Sequence, residues 1–226
     1  MRFPTLLLVL ALAAPAGGGV YDTAADPPPL PSRWAGFLPD HRDLRAAAVE
    51  RPADALPAPL RAGFRATADR LAALAAQRPL TADEAADRGA ALVRLGRPAD
   101  AVAVLRPAAR ASPDHFRTAA NLGTAWQLAG DPDQAAAALA ESVRLAPDRH
   151  RRAEEFHLKL VRLRLAEGRA ALRPTAPDDL FGVDFARPDA AKLPADDVAV
   201  VQALALSLPA DGRLLWQLGE LAQAHG

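Results

Sequence analysis

The chain contains no cysteine among its 226 residues. This absence excludes disulfide bonds, thiolate zinc sites, cysteine-ligated iron–sulfur clusters and cysteine nucleophiles. It also excludes a lipoprotein, because a lipoprotein needs a cysteine to carry the acyl groups.

Aromatic residues make up only 5% of the chain, and 27 acidic residues balance 27 basic ones. A net charge of zero argues against a nucleic-acid partner, which favours a basic excess. Alanine supplies much of the hydrophobic half of the composition, and such small side chains suit closely packed helices. We therefore expect an all-α fold. The bias towards Ala, Arg and Pro, with lysine only at Lys159 and Lys192, is typical of a GC-rich bacterial genome.

The N-terminus has the pattern of a secretory signal. Arg2 precedes an apolar run of roughly 14 residues, and the small residues Ala14-Pro15-Ala16 follow it. The run is shorter than the roughly 20 residues that a membrane-spanning helix needs. We predict a signal peptide over residues 1–16, cleavage before Gly17, and a protein exported to the periplasm or the medium. An uncleaved N-terminal membrane anchor is the alternative.

Residues 17–40 are rich in proline and show no helical period, which predicts a linker. Residues 27–31 should adopt polyproline II geometry. Pro28, Pro31 and Arg33 also match the PxxPxR pattern of ligands for SH3-type grooves, a pattern that proline-rich linkers produce by chance.

From about residue 41 onward, apolar residues recur at helical spacing. Thr81 and Glu84 have the spacing of a capping box, which predicts that a helix begins there. Two consecutive segments then repeat each other at a fixed offset of 34 residues, a sign of a repeat array. The matched residues are Gly89, Gly96, Ala101, Leu105 and Pro113 in the first segment, and Gly123, Gly130, Ala135, Leu139 and Pro147 in the second.

Each repeated residue has a physical reason. Gly89 and Gly123 lie in mid-helix, where glycine costs about 1 kcal/mol relative to alanine unless two helices approach closely. Gly96 and Gly130 are placed to end the first helix of each unit. Asp131 is placed to cap the second helix of its unit.

This pattern resembles the tetratricopeptide repeat (TPR) family, whose unit is a 34-residue helix–turn–helix. The second unit carries the family's signature best, through Ala119, Leu122, Gly123, Trp126, Ala135, Leu139 and Pro147. The resemblance implies an all-α solenoid of TPR-type helix pairs that binds protein and performs no catalysis.

The predicted array covers residues 41–226. It divides into a degenerate unit at about 45–81, clear repeats at 82–115 and 116–149, a split unit at 150–211, and an incomplete unit at 212–226. A loop insertion at 169–193 interrupts the split unit, the third clear one. In it we expect Leu180, Phe181 and Phe185 to fold back onto the array, with a partner-binding loop as the alternative.

One cluster has the residue types of a metal or acid–base site. His150, Glu154 and His157 share a helix face, with Glu155 beside them, and Glu-x-x-His is half of a di-iron carboxylate motif. The second copy that such a site needs is missing from the sequence, so a solvated helix face is the expected role. A nucleophile elbow, a phosphate-binding loop and a His-Glu-x-x-His site are also missing. We predict no catalytic residue, metal or cofactor, and a metal-dependent enzyme is the alternative.

The resemblance also implies a concave groove lined by the first helix of each unit. The residues it places there are Asp83, Arg94, Arg117, Asn121, Gln127, Arg151, Glu154 and Arg162. Asn121 and Arg151 match the carboxylate clamp by which some family members hold a peptide C-terminus. Ala86, Ala90 and Glu155 do not match it, so the clamp is broken. A mixed, mildly basic groove suited to an extended or helical peptide is left.

The predicted function is therefore an exported scaffold that binds a protein or peptide, with no small-molecule substrate and no nucleic acid. A structural or assembly segment of a larger cell-envelope protein is the alternative.

The last helix, residues 212–226, carries a stripe of leucines that includes Leu214 and Leu221, together with Trp216. In a solenoid the next helix would cover this stripe. Because none follows, we expect a fragment of a longer repeat protein that exposes an apolar patch and self-associates through it. A true capping helix is the alternative.

Overall fold

The computed structural model describes residues 19–23, 37–49, 59–170, 180–183 and 192–225. In these ranges the chain forms helices and no strand, which confirms the predicted all-α class. The helices are α1 (Phe37–Ala48), α2 (Pro59–Ala75), α3 (Ala82–Arg94), α4 (Pro98–Ala111), α5 (Phe116–Leu128), α6 (Pro132–Leu145), α7 (Asp148–Ala170), α8 (Asp197–Ser207) and α9 (Gly212–His225). The predicted signal peptide, the proline-rich stretch at 27–31 and Phe185 lie outside the described residues.

The ends of the repeat helices form as the sequence predicts. Thr81 accepts the backbone N–H of Glu84 at 3.2 Å, and the Glu84 carboxylate accepts the N–H of Thr81 at 2.8 Å, which completes the capping box. Asp131 caps α6 by accepting a backbone N–H at 3.0 Å. Gly96 and Gly130 follow α3 and α5 with positive φ angles of 73° and 85°. Glycine reaches this region without the steric cost of a side chain.

Close packing explains the mid-helix glycines. A Cβ atom on Gly89 would lie 2.5 Å from the Leu105 side chain, and one on Gly123 would lie 2.6 Å from the Leu139 side chain. Both leucines are fully buried. The predicted reason for glycine at these two positions is therefore confirmed.

Helix α8 packs the C-terminal helices against the N-terminal helix α1. It contacts α7 and α9 and also α1, and most of its surface is buried. A helix that is apolar on all sides is stable only in such surroundings. Arg94, near the end of α3, donates a hydrogen bond to the carbonyl of Leu206 in α8. The C-terminal helices thus share a core with α1, in which Phe37 belongs to the same buried cluster as Leu204.

The prediction of a linker over residues 17–40 is wrong in two places. Helix α1 begins at Phe37, because that ring is buried in the C-terminal core. Residues 19–23 contact α3, α5 and α7 through hydrogen bonds. Neither segment is a free tether between a signal and a domain.

Two residues within the predicted insertion, Leu180 and Phe181, pack against the helices. Leu180 is buried in the C-terminal core, and the Phe181 ring lies 5.3 Å from the Phe156 ring. Helix α7 continues to Ala170, two residues into the predicted insertion at 169–193.

The expected apolar patch on the last helix does not form. Leu214 and Leu221 are 0% exposed, because α8, Leu180 and Phe37 cover them. Trp216 is 49% exposed and faces away from that core. The prediction that these leucines are exposed is therefore wrong, whereas self-association through the last helix stays a prediction.

Candidate partner-binding groove

Helices α3, α5 and α7 together form a groove, and residues 19–23 lie in it. We call these five residues, with the sequence Gly-Val-Tyr-Asp-Thr, the groove segment. It runs from α7 across α5 to α3 and has no helical or strand structure. The contacts that hold it define the site.

Asn121 of α5 binds the main chain of the groove segment at its centre. Its Oδ1 accepts the N–H of Tyr21 at 2.7 Å, and its Nδ2 donates to the Tyr21 carbonyl at 2.7 Å. Nδ2 also donates to the Ala86 carbonyl of α3 at 3.1 Å, which fixes the orientation of the amide. A side-chain amide offers one acceptor and two donors, and all of them are used here.

Glu154 of α7 binds the other end of the segment. Its Oε1 accepts the N–H of Gly19 at 2.9 Å and the hydroxyl of Tyr21 at 2.7 Å. Its Oε2 accepts the Ser142 hydroxyl at 2.5 Å. Burial raises the pKa of Glu154 above its ordinary value, and the hydrogen bonds from Ser142, Tyr21 and Gly19 oppose that rise. These donors make a buried carboxyl group tolerable.

The Tyr21 side chain fills an aromatic pocket. Its ring lies 4.8 Å from the Phe116 ring and 4.7 Å from the His150 ring, measured between centroids. Edge and offset arrangements at such distances are favourable. Burial, together with the neighbouring Glu154, raises the pKa of Tyr21 well above its usual value of 10.0. The hydroxyl therefore stays protonated and acts as a donor.

The expectation of a solvated face for the His150 cluster is wrong. His150, Glu154 and His157 are all buried, because the groove segment and α8 cover this side of α7. His157 bonds through Nε2 to Oε1 of Gln127 at 2.6 Å. In the described ranges, no group of three or more His, Asp or Glu side chains is arranged to hold a metal ion.

The two ends of the groove segment differ in exposure. At the α3 end, the N–H and hydroxyl of Thr23 donate hydrogen bonds to the Asp87 carboxylate at 2.7 and 2.5 Å, and both bonds are exposed to solvent. At the buried end, Thr124 donates to the Gly19 carbonyl. Gly19 has a φ of +89°, and a Cβ on it would lie 3.0 Å from the Cβ of Ser207.

The predicted groove residues divide by position. Asn121 and Glu154 contact the groove segment directly. Arg94 is half-buried near Asp22: burial lowers its pKa to about 10, and the charge of Asp22 opposes that shift. Gln127 acts behind the segment, through its bond to His157.

The other four predicted residues are outside the contacts described above. Asp83 accepts from Arg117 at 3.1 Å on the outer side of the groove, where His115 also reaches Asp83 at 3.0 Å. Arg151 bonds to the Ala146 carbonyl at 3.1 Å and to Asp148. Arg162 is exposed on α7.

Sequence reasoning missed Asp87, Thr124, Ser142 and Phe116 as groove residues. The repeat period could have found Asp87, because it lies 34 residues before Asn121 and holds the same slot in the preceding repeat. No periodic signal points to the groove segment itself, because its contacts with the array span 100 residues or more at Asn121 and Glu154.

The model of the tetratricopeptide repeat family matches residues 92–160. The comparison with curated proteins found no match, and neither did the comparison with solved structures. Among the described residues, no helix is both long and apolar enough to cross a membrane. Tetratricopeptide repeat domains generally mediate protein–protein interactions and are typically non-catalytic. The matched segment, with its helix pairs and their 34-residue period, identifies residues 92–160 as tetratricopeptide repeats.

Proposed function

We propose that this protein is a non-catalytic scaffold whose groove of α3, α5 and α7 binds a segment of a protein partner. One observation supports this most: the groove accepts five residues without secondary structure through side chains of three different helices. A surface with that ability can bind the main-chain N–H and carbonyl groups of a peptide.

The polar groups of the groove suit a peptide better than a flat protein surface. Asn121, Thr124 and Glu154 are fully buried. Their hydrogen-bond partners come from the groove segment that lies over them and from neighbouring helices. Buried polar atoms without partners are costly. An empty groove would therefore favour either the groove segment or a ligand with similar main-chain groups.

We also propose that the protein is exported, in keeping with Arg2, the apolar run and Ala14-Pro15-Ala16. N-terminal sequencing of the mature protein should begin at Gly17. A sequence that begins at Met1 would instead favour the membrane anchor. The alternative function, a structural or assembly segment in the cell envelope, predicts co-purification with the envelope fraction.

Photo-crosslinking in the organism of origin tests the groove. A photoreactive residue would replace Arg117, on the outer side of the groove, in the full chain. The matched control would replace Arg110, which is exposed on α4. We expect a discrete covalent adduct with a partner from position 117 and none from position 110. Equal adducts at both positions, or an adduct only at position 110, would move the partner away from the groove.

A further inference from the structure

The groove segment is bound in a regular register. The N–H groups of Gly19, Tyr21 and Thr23 donate in turn to side chains of α7, α5 and α3. Alternate residues of an extended chain face the same side, so one acceptor on each successive helix can take every second N–H. The acceptors are Glu154, Asn121 and Asp87. Such a ladder fixes which residue of a peptide lies at which position.

Once the register is fixed, the side-chain contacts select residue types. The first position requires glycine for two reasons. Its φ of +89° is strained for any residue with a Cβ atom. A Cβ there would also lie only 3.0 Å from the Cβ of Ser207 and 3.2 Å from Nδ1 of His157.

The third position requires a tyrosine. The pocket between Phe116 and His150 takes an aromatic ring, and Glu154 at its base takes a hydroxyl donor. Phenylalanine would fill the pocket but would leave the buried carboxylate with one donor fewer.

The remaining positions are less selective. Val20, at the second position, packs against the apolar core of the repeats. Asp22, at the fourth, interacts with the charge of Arg94. Thr23, at the fifth, places its hydroxyl on Asp87, a contact that serine could also make.

We propose that the groove is selective for a segment of the pattern Gly–aliphatic–Tyr–acidic–Thr/Ser, and that residues 19–23 occupy it in cis. A partner that carries this pattern then binds by displacing the groove segment. This inference rests on the proposed function, since it names the partner chemistry of the same groove.

Cis occupancy sets the affinity for a partner. A tethered ligand competes at an effective concentration of the order of millimolar. The apparent affinity for a partner falls by the fraction of molecules whose groove is open. Weakening the cis contact should therefore increase binding in trans without any change to the groove.

Fluorescence anisotropy with a labelled peptide of residues 17–26, GGGVYDTAAD, tests the proposal on the full chain. The Tyr21→Ala variant empties the aromatic pocket and leaves the groove side chains intact. We expect it to bind the peptide at least about tenfold more tightly than the unaltered chain does. Thr23→Ala, which removes only an exposed contact, should give a smaller gain in the same direction. Thermal unfolding of both variants shows whether the fold is kept, and Thr23→Ala carries the test if Tyr21→Ala unfolds.

Matched peptides then test the pattern against the Tyr21→Ala chain. Alanine in place of the first-position glycine, or phenylalanine in place of the tyrosine, should weaken binding about tenfold or more. A peptide with serine in place of the alanine that corresponds to Ala25, outside the pattern, should bind as the parent does. Adding Asn121→Ala to the receptor should abolish binding, whereas adding Arg110→Ala should not.

Two outcomes would overturn the inference. One is equal binding by the unaltered chain and both variants, which would remove the cis competition. The other is equal binding of the parent peptide and a shuffled peptide, which would remove the selectivity. If a partner still crosslinks at position 117, the scaffold function survives either result. If the peptide binds selectively but no partner crosslinks there, the proposed function fails and only the cis contact stands.

Discussion

Gly123 in α5 and Gly219 in α9 each follow a leucine, yet their surroundings differ. A Cβ on Gly123 would lie 2.6 Å from the Leu139 side chain, whereas a Cβ on Gly219 would meet no atom within 4 Å. In α5 the second helix of the unit crosses over the glycine. In α9 the glycine is exposed. The same dipeptide therefore marks close helix packing only where a second helix crosses the glycine.

The two regions also build their cores from different parts of the chain. The repeats of α3–α6 pack each helix against its neighbours along the chain. The C-terminal helices also pack against their neighbours, but their core includes residues from distant parts of the chain, with Phe37 and Leu180 in the same cluster. A repeat period describes the first kind of core and cannot describe the second.

The largest expected effect lies in the leucine stripe of α9. Leu214→Ala should lower the free energy of unfolding by about 2–5 kcal/mol, because it leaves a cavity at a fully buried position. Denaturant unfolding followed by circular dichroism would measure the loss.

Trp216→Ala is the matched control two residues away on the same helix. Its ring is half exposed, so we expect the stability to change by less than about 1 kcal/mol. A similar loss in both variants would contradict the described packing of α9. If the Leu214→Ala chain is stable and no longer self-associates, Leu214 is exposed, as the sequence predicts.

The sequence predicts the repeats well because their signals are local. Thr81 with Glu84, Asp131, and the pairs of glycines and leucines 34 residues apart all act within one unit or between adjacent units. The groove is predicted in part: Asn121 and Glu154 follow from the slot that the family's geometry assigns them.

The rest depends on contacts between distant parts of the chain. Tyr21 reaches Glu154 across 133 residues, and no periodicity encodes that pairing. The solvated face expected for Glu154 is wrong for this reason, because the residues that bury it come from the N-terminal segment. The covering of Leu214 by α1 and α8 is missed in the same way.

A second prediction concerns α7, the helix that joins the two regions. His157 is fully buried there between Gln127 and the groove segment. Burial and, to a smaller extent, the charge of Arg164 lower its pKa to about 4, and the charge of Asp211 opposes both. Its Nδ1 has no hydrogen-bond partner among the described residues, so protonation would place a charge on an unsolvated atom.

The sign of the pH dependence follows from that shift. Since the pKa of the folded state lies below the unfolded value of 6.5, the stabilisation is complete above pH 6.5 and is lost as the pH falls towards 4. We expect His157 to account for a loss of up to about 3 kcal/mol over this range. Denaturant unfolding at pH 7, 5.5 and 4 would measure it.

His157→Gln removes the titrating group and should flatten that part of the profile. If His157→Gln and the unaltered chain lose the same stability as the pH falls, a group other than His157 causes the loss.

The smallest expected effect returns to the two glycines. Gly123→Ala should destabilise the chain by about 1–2 kcal/mol, because the clash with buried Leu139 outweighs the gain in helix propensity. Gly219→Ala has room for its methyl group and should stabilise the chain by up to about 1 kcal/mol through propensity alone. Thermal unfolding of both variants should therefore shift the midpoint in opposite directions. If both variants are destabilised, α9 packs as closely around its glycine as α5 does, and the leucine–glycine pair has the same meaning in both regions.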